Sequence, residues 1–121
     1  MEPAPADRTI LAVDDEPDLL EAIRRILTRR GYAVLPAGDA GSALEVCRTH
    51  DGPIDLLLTD VRMPGTGGHE LVAAARRVRP GLAVLYLSGL ADGDGFDAPV
   101  LGKPFTPAGL AEAVDAALAP A

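Results

Sequence analysis

Five short apolar runs, separated by longer stretches with helical patterning, constrain this chain more than any other feature. They cover residues 9–13, 33–37, 54–58, 82–87 and 99–102. Three are nearly continuous rather than alternating, the pattern of strands covered on both faces. A sheet of that kind needs helices above and below it. The whole alternation fits in 121 residues, the size of one ordinary domain. Aromatics make up only 3% of the chain and Trp is absent, so the core has to be aliphatic.

The stretches between the runs read as helices with recognisable ends. Pro17 stands near the start of the first and Gly31 at its C-terminal end, with Leu19, Leu20, Ile23, Ile26 and Leu27 on one stripe. Asp39 is placed to cap a second, whose stripe is Ala40, Ala43, Leu44 and Cys47. A third covers about residues 69–79, with Leu71, Val72, Ala75 and Val78 inward, and Pro80-Gly81 stops it. Thr106-Pro107 opens the last, with Leu110, Val114 and Leu118 inward. Strand–helix alternation predicts an α/β fold, a doubly wound five-stranded parallel sheet with right-handed crossovers. Between the fourth and fifth runs only ten residues, 89–98, remain for a crossover, and they include three Gly and three Asp. A helix there is expected to be shortened to a turn or two, or missing. Residues 1–7 read as a disordered leader and 8–119 as the domain.

Net charge of −7 argues against direct binding to nucleic acid or an anionic membrane. Cys47 is the only cysteine, so no internal disulfide can form and a reducing compartment is expected. No apolar run resembles a signal peptide or a membrane span, and the expected location is cytoplasmic.

In open α/β sheets, ligands bind beyond the carboxyl ends of the strands. Asp14, Asp15 and Glu16 follow the first run, Asp60 follows the third, Ser88 the fourth and Lys103 the fifth. Each alone has an ordinary explanation: a helix cap, a loop hydroxyl, a solvated lysine. Together they bring carboxylates, a hydroxyl and a cation to one rim. Clustered carboxylates repel unless a cation joins them. An all-oxygen set suits Mg²⁺, which binds through one or two carboxylates plus phosphate oxygens. A carboxylate can attack phosphorus to give an aspartyl phosphate, provided the phosphoryl charge is balanced.

On these residues the chain resembles the receiver (response-regulator) family of two-component phosphorelays, from about residue 8 to 118. The resemblance is carried by VDDEPDLL (13–20), LLLTDVRMPGTGG (56–68), LYLSG (85–89) and GKPFTP (102–107). It implies a flavodoxin-like (receiver) fold and a phosphoacceptor role rather than that of a turnover enzyme. It further implies that Asp60 takes the phosphoryl group from a histidine kinase or a histidine phosphotransfer domain. Asp14, Asp15, Asp60 and the backbone carbonyl of Arg62 are then the ligands of Mg²⁺ or Mn²⁺. Ser88 contacts the phosphoryl group, Lys103 pairs with Asp60 or its phosphoryl group, and Lys103–Pro104 is a cis peptide. Gly68 fits a backbone that needs positive φ or close approach.

The chain departs from the family pattern at Val100, where an aromatic switch residue is usual, and in the shortened stretch before Lys103. Both departures bear on output, and the expectation is a monomer or weak dimer. Two other readings stay open on the residues alone. One is a Mg²⁺-dependent aspartyl-phosphate phosphatase of the haloacid-dehalogenase type, although that family places its nucleophile on an early strand in a D-x-D arrangement, whereas Asp60 has Arg62 two residues on and the DDE after the first run is not D-x-D. The other is a flavodoxin-like binding module, although the loop after the first run is acidic rather than rich in Ser, Thr or Gly.

Overall fold

The first apolar run forms strand β1 (Thr9–Val13), whose last four residues are buried. Helix α1 (Pro17–Arg29) follows, then β2 (Ala33–Ala37), α2 (Ala40–Thr49), β3 (Leu56–Asp60), α3 (Gly68–Val78), β4 (Ala83–Ser88), β5 (Val100–Gly102) and α4 (Pro107–Leu118). This computed structural model describes residues 8–89 and 98–119. The expected leader and the expected shortened or missing helix between β4 and β5 both fall largely outside the described residues.

All strand pairs are parallel and the sheet order is β2-β1-β3-β4-β5. Alternate side chains of a pleated strand point to opposite faces. Ile10, Ala12, Leu56, Leu58, Leu85 and Leu87 therefore share one face with Ile23 and Leu27 of α1 and Leu110 and Val114 of α4. Leu11, Val13, Leu57, Val84 and Tyr86 share the other with Ala43 and Cys47 of α2 and Leu71 and Ala75 of α3. The chain leaves β1 toward β2 and returns to the other side for β3, so the switch point lies between β1 and β3. β3 is buried at every residue.

Two strand ends differ from the sequence reading. β3 runs from 56 to 60 rather than 54 to 58. Asp55 accepts the N–H of Thr9 through its side chain at 2.7 Å, ahead of the strand, and the ladder continues past Leu58 to the N–H of Val61 on Leu87 O. Likewise β4 extends to Ser88, whose carbonyl accepts the N–H of Lys103 at 2.8 Å. Asp60 and Ser88 are consequently the last residues of their strands rather than loop residues.

The helix ends follow their local chemistry. Gly31 adopts φ 103°, its N–H bonds to Thr28 O and that of Tyr32 to Leu27 O, which is a Schellman closure of α1. Asp39 accepts the N–H of Ser42 at 2.7 Å and Thr106 that of Gly109 at 2.9 Å. In α3 the inward stripe is Gly68, Leu71, Val72 and Ala75, while Val78 is 37% exposed, contrary to expectation. At about 100° per residue, Arg79 continues the stripe better than Val78 does. Its guanidinium crosses to the end of α2 and donates to the carbonyls of Cys47, His50 and Gly52 at 2.8–2.9 Å. These carbonyls would otherwise lack partners at a helix end.

Tyr32 donates to Asp115 of α4, which also accepts Arg30. Burial, then the bond to Asp115, pushes the Tyr32 phenol up to about 12. Burial acts to raise the Asp115 carboxyl, but its bonds from Arg30 and Tyr32 outweigh that and hold it below the ordinary carboxylate value. A phenol whose folded pKa lies above the unfolded one stabilises fully below the unfolded value of about 10. That contribution disappears as pH rises through about 12. Tyr32→Phe is expected to cost about 1 kcal/mol at neutral pH. In urea unfolding curves, the gap to the unaltered protein should close between about pH 10 and 12.

Candidate functional site

Three carboxylates meet at the switch point. Asp14 directly follows β1, is wholly buried, and is still tied to the sheet by its N–H on Ala37 O at 3.2 Å. Asp60 ends β3 with 7% exposure, and Asp15 is exposed. One oxygen from each of the three lies within 4.8 Å of the others.

The turns after both strands hold the buried acids in place. Asp14 Oδ1 accepts the N–H of Glu16 at 2.9 Å, and Asp60 Oδ1 accepts the N–H of Arg62 at 3.1 Å. Lys103 follows β5 and donates from Nζ to Asp60 Oδ2 at 2.9 Å and to Asp14 Oδ2 at 3.1 Å. The sequence reading paired Lys103 with Asp60; the second bond, to Asp14, spans 89 residues and has no signal in the sequence. Burial alone would lower the Lys103 pKa, but the hydrogen bonds it donates to Asp60 and Asp14 outweigh it and hold the ammonium above the ordinary lysine value. The Lys103–Pro104 peptide is cis, as expected.

Ser88 lies 5% exposed at the end of β4, the strand beside β3, and its hydroxyl donates to Gly89 O at 3.0 Å. Arg62 reaches the site through its backbone N–H. Val100, at the position without an aromatic ring, opens β5 and is 42% exposed.

Three carboxylates balanced by one ammonium leave an excess of negative charge, two of the acids being buried. The set is all hard oxygen, and it fits a small divalent cation such as Mg²⁺. Glycine is required at one point of this frame. Gly68 opens α3, and a Cβ there would overlap the carbonyl oxygen of Asp60 and lie 2.9 Å from Val61 Cα. The requirement is close approach of helix to strand and not positive φ.

A doubly wound parallel sheet with this acid–lysine rim defines the receiver class of signalling domains, and the comparisons agree. The family profile described as response regulator receiver domain matches residues 10–115. The chain belongs to that family. It is 35% identical over 105 residues to the response regulator receiver protein CpdR of Brucella abortus, covering 81% of this chain and 86% of that one. A receiver domain from Clostridium thermocellum superposes with a TM-score of 0.84 at 30% identity, covering 92% of this chain and 94% of that one. The receiver domain of the hybrid histidine kinase CckA gives 0.81 at 35% identity, covering 92% and 99%. Longer relatives are matched over a small share, 26% of the response regulator GtcR of Aneurinibacillus migulanus and 9% of the sensor kinase CckA of Brucella abortus. The chain is a phosphoacceptor receiver domain of two-component signalling; neither the phosphatase nor the flavodoxin-like binding module is favoured. Among the described residues, no helix is long and apolar enough to cross a membrane.

Gly68→Ala forces α3 away from the end of β3. The expected cost is about 1–3 kcal/mol, read by chemical denaturation. Amide shifts of Asp60 and Val61 should move more than those of β2.

Proposed function

We propose that Asp60 is the phosphorylated residue and that a histidine kinase or a histidine phosphotransfer domain is the donor. The observation that carries this reading is the Lys103 ammonium on Asp60 Oδ2, beside a cluster of three acids at the switch point. A carboxylate oxygen of Asp60 forms a bond to phosphorus while the bond from phosphorus to the donor imidazole nitrogen breaks. The imidazole leaves with the bonding electron pair and takes up a proton.

Asp14, Asp15 and Asp60, with the backbone carbonyl of Arg62, would hold Mg²⁺ (or Mn²⁺). When bound, the ion supplies positive charge for the phosphoryl oxygens. Lys103 adds a second charge and Ser88 a hydroxyl donor for the transferred group. One phosphoryl group per chain, rather than turnover, sets this domain apart from an enzyme. Kinase partnership is supported by the likeness to CckA, a hybrid histidine kinase and sensor kinase. We read residues 8–119 as one cytoplasmic unit, monomeric or weakly dimeric, which meets neither nucleic acid nor membrane directly. Without a ring at Val100, its output does not use an aromatic switch on β5.

Mg²⁺ with acetyl phosphate should place one phosphoryl group on Asp60, counted by intact-mass spectrometry. Asp60→Asn should stay unlabelled, because an amide is a poor nucleophile; labelling to the same extent elsewhere would show the site to be wrong. Mg²⁺ should also stabilise the fold by mass action. With a dissociation constant of about 1 mM, roughly 10 mM Mg²⁺ contributes about 1.4 kcal/mol. A thermal melt indifferent to Mg²⁺ would contradict the metal site.

A further inference from the structure

Helix α1 carries its charges in an order that the acid–lysine rim does not use. Asp18 and Glu21 lie in its first half; Arg24, Arg25, Arg29 and the cap residue Arg30 lie in its second. The middle charges are already matched. Glu21 accepts Arg24 at 2.6 and 2.9 Å and Arg25 at 3.0 Å, and Arg30 pairs with Asp115 of α4. Asp18 and Arg29 are exposed, and among the described residues neither has a hydrogen bond or an ion pair. The eleven positions between them make about three turns, so both project from one side of the helix, about 16 Å apart along its axis. That side is opposite the buried Ile23 and Leu27. Beside it runs a groove of about 890 Å³ between α1 and α4, with Ala22, Ile26, Pro107, Ala108 and Ala111 as its apolar wall. Its three alanines let another helix come close.

We propose that this groove receives helix α1 of a second copy of the chain, the two helices lying antiparallel about a twofold axis. Two molecules of net charge −7 repel as wholes, so pairing needs a face where opposite charges meet. The helix dipole favours acids at the start of α1 and bases at its end. The same order makes the helix complementary to itself when a copy runs the other way. With the axis between residues 23 and 24, Asp18 of each copy meets Arg29 of the partner subunit, and Glu21 comes level with Arg25 of the partner subunit. Ala22 and Ile26 pack across the axis, with Pro107, Ala108 and Ala111 at the side. The contact is apolar at its centre and charged at both ends, and it closes at two copies. Exposed ion pairs add little and a pair of helices covers a small area, so the dissociation constant is on the order of 100 μM. None of the switch-point acids takes part, and the dimer stands independently of the phosphoacceptor reading.

The test is sedimentation velocity from about 10 μM to about 1 mM, which brackets that constant. The unaltered chain should pass from monomer to dimer across this range. Asp18→Arg and Arg29→Glu each turn two attractions into two repulsions, and each alone should weaken the dimer about tenfold or more. An equimolar mixture of the two variants brings opposite charges together again at both ends and should dimerise as the unaltered chain does. Rescue in the mixture cannot come from a merely structural role, since neither variant repairs the fold of the other. Circular dichroism melts check that each variant folds; Asp18→Lys with Arg29→Asp gives the same comparison should either fold poorly. A chain that stays monomeric throughout overturns the proposal and leaves the groove to an unlike, acidic partner. A dimer indifferent to both variants, or variants whose mixture stays monomeric, overturns it as well.

Discussion

Two buried carboxylates cannot share a cleft in their charged forms without a cation beside them. In this chain Lys103 bridges Asp14 and Asp60, and the ends of three strands are arranged around that contact. Asp14 stays in the sheet through its N–H on Ala37, Asp60 through the pairing of β3 with β4, and Lys103 through its N–H on Ser88. Loss of strand register by one residue would turn each side chain to the opposite face. The bridge therefore needs the sheet to be complete, and the cleft in turn needs the bridge to hold its charge.

The sheet can meet this demand because its centre is unusually well covered. β3 is buried at all its residues between β1 and β4, with α1 and α4 on one face and α2 and α3 on the other. Polar Asp60 and Ser88 lie within the strands and not beyond them, which removes backbone freedom that a loop residue would have. Gly68 lets α3 begin directly against the Asp60 carbonyl, so the reactive end of β3 is clamped by a helix as well as by its neighbouring strands.

The far end of the domain is held by different chemistry. Arg79 ties the end of α3 to the carbonyls that close α2, and Tyr32 and Arg30 tie the end of α1 to Asp115 of α4. Each layer of helices thus has its own polar fastening away from the acids. Charge at the rim can change without loosening the helices at the opposite end. β5, by contrast, is three residues long with Val100 exposed at its start.

The sequence by itself determined the five-stranded parallel sheet, the faces of its helices, and the identity of the acids, Ser88 and Lys103 at one rim. Those features are local: apolar periodicity, Pro17, Asp39 and Thr106 at helix starts, and polar residues at the ends of apolar runs. It also marked Gly68, though not whether backbone angle or proximity made glycine necessary. Only the tertiary structure decided that Lys103 reaches Asp14 as well as Asp60, that Arg79 rather than Val78 completes the inward side of α3, and that Tyr32 bonds Asp115. These contacts join residues 27 to 89 positions apart. Periodicity reports which face a residue occupies, but the distance between two faces is set by how the layers pack. The ends of β3 and β4 were hidden for the same reason, since a polar residue at the end of an apolar run stays in a strand only when a neighbouring strand extends far enough to bond it.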